Sequence, residues 1–409
     1  MEKEVGIESR SVLVKIHTRA VHAGDRKTPQ GQIPVATPIH LAASWITEDT
    51  AQLDRIFGEE EKGFSYSRYA NPTNDALEEL ITDLEGGAGS LACATGMAAL
   101  QHAITAALID RRKYVLCARD IYGATIKLLM DVLGPFGVEM RFVDTNDLAI
   151  VAKAIEDEKP GALVMETVSN PLLRVGDIDE IAKLCRAANT ALIVDNTFAT
   201  PLLNRPLEHG AHMVVHSSTK YLGGHGDTLG GLIVSDAEHI DAVRRLARIS
   251  GPLLGPFESY LTMRGIKTFP LRMERQCQNA AQLAAWLRAQ PSVERVFYPD
   301  DTAHPDAAVI KRMLPDGLYG GMVSFEVKGA AREQVFAFMD RLKLIVRATS
   351  LGDVHTMILY PWIASHRDVS PKQRERMGIR ESLVRVSTGI ESAEDVIADL
   401  EQALAPVLS

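Results

Sequence analysis

The sequence predicts an α/β fold in which a mostly parallel sheet forms a large domain and a smaller α+β domain follows. Three observations support this prediction. With 409 residues, 46% hydrophobic and 24% charged, the chain is globular and too long for one small core. Between residues 114 and 234, short apolar runs alternate with helical stretches, as in parallel sheets covered on both faces. Beyond residue 265, a long helical stretch leads into a second series of strands and helices.

The start of the chain predicts an arm rather than a core element. Residues 1–64 contain no long periodic segment, so we expect them to contact a neighbouring subunit. The large domain is assigned to residues 65–265, and its first helix is capped by Asn71 and ended by Gly86. The small C-terminal domain is assigned to residues 266–409.

Apolar runs and helical periodicity place the other elements in order. The strands predicted in the large domain are Tyr114–Ala118, Val138–Asp144, Ala162–Thr167, Ala191–Asp195, Met213–Ser217 and Gly230–Val234. The helices predicted there are Met97–Leu108, Ala124–Leu133, Leu148–Glu156 and Asp179–Ala188. The strands predicted in the small domain are Val293–Phe297, Gly321–Val327, Leu344–Ala348 and Leu383–Ser387. Its predicted helices are Lys267–Ala289, Arg332–Leu342 and Ser392–Leu404.

Charge and cysteine usage exclude several kinds of partner. A net charge of −9 argues against nucleic acid or an anionic membrane as the main partner, although a local basic pocket for one phosphate stays compatible with it. The sequence shows no apolar leader and no stretch of about 20 apolar residues, so no membrane association is expected. Four widely spaced cysteines without metal-type spacing predict buried thiols in a cytoplasmic protein that holds no metal: Cys93, Cys117, Cys185 and Cys277.

The strongest chemical signal follows the predicted strand at residues 213–217. That strand leads into the hydroxyl residues Ser217 and Thr219, and Lys220 comes next. Hydroxyls and backbone N–H groups at a strand end can hold a phosphate, while the adjacent lysine amine can reach an aldehyde. Taken alone, Lys220 is explained equally well as a solvated surface lysine.

Asp195 strengthens the chemical interpretation of Lys220. It ends the preceding strand, at the edge where open α/β sheets bind ligands. A carboxylate there would keep a pyridinium nitrogen protonated, so that the ring accepts electrons from a substrate carbanion. A turn cap explains Asp195 by itself. Because Asp195 and Lys220 lie in consecutive βα units, together they predict pyridoxal 5′-phosphate bound to Lys220.

Two further segments suit the same cofactor. Gly96 and Met97 open an apolar helix, and the N–H groups of a helix N-terminus suit a phosphate. Any helix needs a start, so on spacing alone an ordinary helix is the favoured explanation. Tyr122 follows a strand end, where its ring could stack on a flat cofactor and its hydroxyl could move a proton. An ordinary half-buried tyrosine is the alternative.

These segments, in their order along the chain, resemble the motifs of the Cys/Met-metabolism family of pyridoxal-phosphate enzymes. That family includes cystathionine synthases and lyases, methionine γ-lyases and O-acylhomoserine sulfhydrylases. The resemblance starts near residue 17 and continues to the end of the sequence. The matching motifs are Tyr66-Ser-Arg68, Asn71-Pro72-Thr73, Thr95-Gly96-Met97, Tyr122-Gly123, Glu166, Asn170-Pro171, Val194–Thr197, His216–Lys220, Ser350–Gly352 and Arg385–Gly389. The resemblance implies a fold-type-I aminotransferase-like architecture in a homotetramer, a dimer of dimers with shared active sites.

The resemblance also implies a role for each cofactor-binding residue. Lys220 would hold the cofactor as a Schiff base and move protons, with Asp195 on the ring nitrogen. Tyr122 would stack on the ring and protonate the leaving group, and Tyr66 is a further catalytic candidate. The phosphate ligands would be Gly96, Met97, Ser217 and Thr219, joined by Tyr66 and Arg68 from the neighbouring subunit.

The substrate side is implied in the same way. Asn170 would contact the cofactor's ring hydroxyl and the substrate. Arg385, supported by Ser350, would clamp the carboxylate of a small amino-acid substrate, because its planar fork matches a carboxylate. His355 is a candidate for a further substrate contact.

Several positions depart from the subgroups of this family. Its cystathionine enzymes resemble one another in carrying an acidic residue at the position of Ser65 in this chain. They usually carry a glutamate at the position of Thr349 as well. Without those acids the distal ammonium of cystathionine lacks its partners, so cystathionine is not the expected substrate. Ala124 stands where methionine γ-lyases typically have cysteine, and His355 replaces a usual glutamate. His355 and the segment Tyr360–Asp368 indicate either drift in a loop or a pocket reshaped for another γ-substituent.

We therefore expect a γ-lyase that eliminates a heteroatom leaving group from Cγ of an amino acid. Methionine, O-acylhomoserines, homocysteine and canavanine are the candidate substrates. A γ-replacement enzyme, of the O-acylhomoserine sulfhydrylase or cystathionine γ-synthase type, needs the same residues and is the alternative. A ligand sensor on this fold would not need Lys220, Tyr122 and Arg385 together.

Overall fold

The computed structural model describes residues 15–24, 34–300, 302–364, 367, 374 and 377–405. Its strands are β1 (Gly89–Cys93), β2 (Tyr114–Ala118), β3 (Glu139–Val143), β4 (Ala162–Glu166), β5 (Ala191–Asp195), β6 (Met213–His216), β7 (Gly231–Ser235), β8 (Val293–Phe297), β9 (Met322–Val327), β10 (Val346–Arg347), β11 (Met357–Leu359) and β12 (Leu383–Ser387). Its α-helices are α1 (Ile16–His22), α2 (Thr50–Phe57), α3 (Pro72–Glu85), α4 (Gly96–Ala107), α5 (Gly123–Lys127), α6 (Leu148–Glu158), α7 (Ile178–Ala187), α8 (Thr200–Leu203), α9 (Ile240–Ser250), α10 (Pro256–Ile266), α11 (Phe269–Arg288), α12 (Ala307–Met313), α13 (Arg332–Asp340) and α14 (Ala393–Leu404). None of the described helices is long and apolar enough to cross a membrane.

The first sheet contains seven strands in the order β1-β7-β6-β5-β4-β2-β3. Strands β6, β5, β4, β2 and β3 run parallel to one another, while β7 runs antiparallel to β6 and β1. The central strands are buried along almost their whole length, which explains their continuous apolar sequences. The predicted mostly parallel α/β fold is therefore confirmed.

Parts of this sheet could not be predicted from its residues. Strand β1, Gly-Ser-Leu-Ala-Cys, has no β-branched residue, yet it is fully buried and pairs with β7 over five residues. The helix predicted at Ala124–Leu133 is divided, because α5 passes into a π-helical turn at Leu128–Leu133. In both places tertiary packing overrides local preference.

The second sheet follows α11 and is mainly antiparallel, in the order β10-β11-β12-β9-β8. Strand β11 was not expected from the sequence, and β10 is shorter than predicted. Helix α11 is tied to this region by two buried amides. Gln276 donates to the Asp353 carbonyl at 2.7 Å, and Asn279 donates to the Gly389 carbonyl at 3.0 Å.

The two sheets meet where the parallel strands end. Strands β2, β4, β5 and β6 all present their carboxyl ends at one edge, the usual ligand-binding edge of such sheets. The loop after β4 contains the cis peptide Asn170-Pro171. Ser324 on β9 donates a 2.7 Å hydrogen bond to the Pro171 carbonyl and so joins the small sheet to this edge. Across the same junction, Arg174 makes a bidentate pair with Asp306 at 2.6 and 2.7 Å.

Candidate active site

Lys220 lies at the centre of the site, in the turn that follows β6. Its Nζ donates to the Ser350 hydroxyl at 3.0 Å. Burial, and secondarily the positive charge of Arg385, lower the pKa of Lys220 to about 8. Near neutral pH the neutral amine, the form that attacks a carbonyl and abstracts protons, is therefore more populated than in an ordinary lysine.

The turn that carries Lys220 is held rigidly from behind. The buried guanidinium of Arg272 donates to the carbonyls of Tyr221 at 2.8 Å, Leu222 at 3.2 Å and Gly265 at 2.9 Å. A Cβ on Gly224 would overlap that guanidinium, and Gly224 has φ of +73°. The backbone around Lys220 is thus fixed before any ligand binds.

An anion cradle forms where α4 begins against the end of β6. Thr95 caps α4 by accepting the Ala98 N–H at 3.0 Å, so the helix presents its first turn to this space. A Cβ on Gly96 would lie 2.8 Å from the Ser217 Cβ, so only glycine allows this approach. The Thr219 hydroxyl, paired with the Gly230 N–H at 3.0 Å, belongs to the same turn as Ser217. Met97 follows Gly96 in the first turn of α4.

Two carboxylates lie side by side at the sheet edge. Asp195 on β5 and Glu166 on β4 are partners in the strand register. Asp195 accepts the Thr197 N–H at 3.0 Å, and burial raises its pKa. Burial, reinforced by the charge of Asp195, raises the pKa of Glu166 well above its ordinary value. Because the pKa of Glu166 is raised the more strongly, the negative charge of the pair lies mainly on Asp195, which is suited to a protonated pyridine nitrogen.

Arg385 forms the cationic side of the site. It lies on β12, is 2% exposed, and donates from Nη1 to Asn170 Oδ1 at 2.8 Å and from Nη2 to the Ser350 carbonyl at 3.4 Å. Burial lowers the pKa of Arg385 to about 10, so the guanidinium stays charged at neutral pH. Its Nε has no hydrogen-bond partner among the described residues. A buried cation with an unused donor is suited to a carboxylate ligand.

Tyr66 and Arg68 lie elsewhere in this chain. The Arg68 guanidinium hydrogen bonds to the Arg248 carbonyl at the end of α9 and lies 4.9 Å from the Tyr69 ring centroid. Tyr66, 45% exposed, packs edge-on against Tyr69. None of these contacts is with Lys220, Ser217 or Gly96, so the structure of one chain does not bring Tyr66 and Arg68 to the cradle.

His355 and Trp362 have partners within the chain. His355 Nδ1 lies 2.9 Å from Asp353 Oδ1, and its side chain is 66% exposed. The indole of Trp362 stacks on the Arg374 guanidinium, 3.8 Å from the ring centroid. The face of the indole is thus covered by a cation of the protein itself. His366 and Asp368 lie outside the described residues.

Glu166 is a site residue to which the sequence assigns no role. It accepts the backbone N–H of Tyr122 at 2.9 Å and of Asn170 at 3.1 Å. The signal that could have found it is its position, since it ends a buried strand directly before the Asn170-Pro171 pair. Arg272 gave no comparable signal, because the carbonyls of Tyr221 and Leu222 that it binds lie 51 and 50 residues away in the sequence.

These groups fit pyridoxal 5′-phosphate. The cradle between Gly96 and Ser217 has the donor chemistry for a phosphate, and Lys220 would supply an amine for the aldehyde. Asp195 would supply the anion for the ring nitrogen. The free Nε of Arg385 would accommodate the carboxylate of an amino acid.

Comparison with known proteins agrees with this geometry. Residues 17–405 match the family model of the Cys/Met metabolism PLP-dependent enzymes. The chain is similar to L-methionine γ-lyase of Fusobacterium nucleatum subsp. polymorphum, with 40% identity over 390 residues, 95% of this chain and 97% of that protein. It is 38% identical to cystathionine γ-lyase of Bacillus subtilis over 395 residues, 96% of this chain and 99% of that one. The structure of cystathionine γ-synthase from Xanthomonas oryzae pv. oryzae with aminoacrylate and cysteine resembles it with a TM-score of 0.89 at 34% identity, covering 97% of this chain and 99% of that chain.

Proposed function

The chain belongs to the Cys/Met metabolism PLP-dependent enzymes, and from that membership we propose that it is a γ-lyase. The predicted family and the predicted pyridoxal 5′-phosphate cofactor are thereby confirmed. The proposed reaction removes a heteroatom leaving group from Cγ of an amino acid. Similar proteins named methionine γ-lyase and cystathionine γ-lyase support elimination at Cγ.

One observation supports an α-amino acid as the substrate. Ser350 touches both reactive groups, since its hydroxyl accepts from Lys220 Nζ at 3.0 Å and its carbonyl accepts from Arg385 at 3.4 Å. An amine that reacts next to Cα and a buried guanidinium that binds a carboxylate therefore lie on either side of one residue. Both groups therefore border one site, as the amino and carboxylate groups of an α-amino acid require.

The residues of the chain divide the work as follows. Pyridoxal 5′-phosphate, when bound, withdraws electrons from Cα and Cβ of an amino acid. Lys220, with its pKa of about 8, takes a proton from Cα and passes it on. It then takes the Cβ proton whose loss expels the leaving group from Cγ. The Tyr122 hydroxyl gives a proton to the leaving group at Cγ. Asp195 holds the ring nitrogen, and Arg385 fixes the carboxylate so that the Cα–H bond faces Lys220. The proposed phosphate ligands are Gly96, Met97, Ser217 and Thr219.

The preferred γ-substituent is proposed from the absence of acidic side chains at two positions. Ser65 and Thr349 occupy the positions where an acid would bind a distal ammonium, and Thr349 is exposed. We therefore infer that cystathionine is turned over weakly compared with methionine, an O-acylhomoserine, homocysteine or canavanine. His355, held by Asp353 and largely exposed, is the residue proposed to contact a polar γ-substituent at the entrance.

A γ-replacement enzyme is the second candidate, because it uses the same residues with an external thiol. The structural similarity to a cystathionine γ-synthase supports it. The absence of acids at Ser65 and Thr349 favours elimination over the synthesis of cystathionine, since the product of that synthesis would lack its ammonium partners.

We propose a homotetramer, a dimer of dimers, in the cytoplasm. The region ahead of α3 exposes large apolar side chains, including Leu41 at 74%, Ile46 at 102% and Phe57 at 56%. Such exposure suits burial against a second copy. Because Tyr66 and Arg68 do not reach the cradle of their own chain, we infer that they complete the neighbouring one. Four buried free cysteines fit a reducing compartment.

Two measurements test the proposal. Borohydride reduction of the purified protein, followed by peptide mass spectrometry, should find the cofactor on Lys220. Lys220→Ala should lose it, whereas Lys183→Ala on the exposed face of α7 should not. A panel of γ-substituted amino acids, scored for 2-oxo acid, homoserine and released nucleophile with and without added thiol, should give elimination products without thiol. A product that forms only when thiol is present would establish replacement instead.

A further inference from the structure

Glu166 connects two loops of the active site through one carboxylate. Its Oε1 accepts the backbone N–H of Tyr122 at 2.9 Å, and its Oε2 accepts the backbone N–H of Asn170 at 3.1 Å. Tyr122 follows β2, whereas Asn170 lies in the loop that follows β4, the strand that Glu166 itself ends. The side chain therefore fixes the separation of two loops that leave adjacent strands.

Each of the two anchored residues carries a group of the proposed site. Tyr122 begins α5, which gives way to a π-helical turn after five residues, and its side chain does not cap that helix. Its backbone is thus held at this end by Glu166. Asn170 uses Oδ1 to accept from Arg385 Nη1 at 2.8 Å. A continuous series of hydrogen bonds consequently runs from Tyr122 through Glu166 and Asn170 to Arg385.

Neighbouring carboxylates disfavour a negative charge on Glu166. Asp195 lies opposite Glu166 in the register, and both Asp195 and Asp120 disfavour a charge on it. The two backbone N–H groups act in the opposite direction and lower its pKa. A turn cap that only stabilised one loop would not need to lie beside Asp195, where like charges repel.

We propose that Glu166 is a positioning residue that holds Tyr122 and the Asn170–Arg385 pair in fixed register, so that the cofactor ring and the substrate carboxylate are bound together. This inference rests on the proposed function. Glu166 is not expected to touch the substrate, since both its oxygens are already occupied by backbone donors. Its effect should reach the reaction through the two residues that it anchors.

Glu166→Gln tests the proposal, because the amide offers only one acceptor to the two N–H groups. Its NH₂ would face one of the two donors, which loses its hydrogen bond and is left unsatisfied. In the holoenzyme, kcat/KM for the best amino acid should fall about tenfold or more, with a rise in KM. Circular dichroism of the cofactor band should also change, because it reports the orientation of the ring beside Tyr122.

Glu326→Gln is the matched control. Glu326 on β9 is 1% exposed, its pKa is also raised by burial, and it pairs with Arg380 in the small sheet, away from the cradle. If neutralising any buried carboxylate harms this protein, both variants should lose thermal stability alike. Only Glu166→Gln should alter KM and the dichroism. Should that variant fail to fold, Glu166→Asp keeps the charge, shortens the reach and should give the same two changes.

A double-mutant cycle with Asn170→Ala identifies the route of the effect. If Glu166 acts partly through Asn170, the combined loss in kcat/KM should be clearly smaller than the product of the single losses. Independent, multiplicative losses would overturn the proposal, and so would a Glu166→Gln enzyme that matches the Glu326→Gln control. Either outcome leaves the proposed function standing, because that fails only if the unaltered protein binds no cofactor, turns over no amino acid, or forms product only when thiol is added.

Discussion

The substitution Arg385→Lys should weaken the binding of amino-acid substrates while leaving cofactor binding intact. A lysine keeps the positive charge but not the planar fork that reaches Asn170 Oδ1 at 2.8 Å and the Ser350 carbonyl at 3.4 Å. Loss of one charge-assisted hydrogen bond to the substrate carboxylate costs about 1.5–3 kcal/mol. At about 1.4 kcal/mol per factor of ten, kcat/KM should fall about 12- to 140-fold. Because the carboxylate is bound before and during reaction, most of the loss should lie in KM.

The assay compares ligands that differ only in the carboxylate. Inhibition constants would be measured for the amino acid and for the corresponding amine, with Arg380→Lys as control. Arg380 lies just ahead of the same strand, is 60% exposed and pairs with Glu294 and Glu326. Arg385→Lys should weaken the binding of the amino acid but not that of the amine. Arg380→Lys should weaken the binding of neither ligand. Equal weakening of both ligands by Arg385→Lys would show that the arginine supports the fold and does not bind the carboxylate.

Three other outcomes are expected. In the cofactor-free chain, modification of Lys220 by an amine-reactive reagent should rise through about pH 8, because burial and Arg385 lower its pKa, so that the neutral amine prevails above that pH; a rise only near pH 10 to 11, as for an ordinary lysine, would contradict this. Mixed Arg68→Ala and Lys220→Ala subunits should regain activity in hybrids, since one site would be intact; no recovery after proven mixing would argue against shared sites. Replacing Ser65 and Thr349 with glutamate should raise kcat/KM for cystathionine about tenfold or more; a parent enzyme that already prefers cystathionine would refute the reasoning.

Much of the large sheet can be read from local sequence. The apolar runs at β2 and β5 match the structure residue for residue, because a parallel strand buried on both faces leaves no room for polar residues. Asp195 and Lys220 are predictable for a related reason. Polar residues directly after such runs lie at the ligand-binding edge of the sheet. The division into an arm and two domains at residues 64 and 265 stays a prediction.

Other features follow from contacts that the local sequence does not encode. Trp362 has the chemistry to stack on a substrate cation, yet its ring is covered by Arg374. His355 has the chemistry of a substrate ligand, but its Nδ1 is engaged by Asp353. In both cases the residue type indicated which kind of interaction to expect, but it did not indicate that the partner would be a residue of the same chain.

The sequence by itself determined the family, the cofactor and most strands of the large sheet, because these depend on periodicity and on motifs a few residues long. Tertiary structure alone decided which groups meet. Lys220 and Ser350 are 130 residues apart, and Arg385 and Asn170 are 215 apart. Glu166 gained its role only when β4 paired beside β2 and brought Tyr122 within 2.9 Å of it. Such contacts are set by strand pairing within the large sheet and by the position of the small sheet at its edge, and local preference contains no information about either.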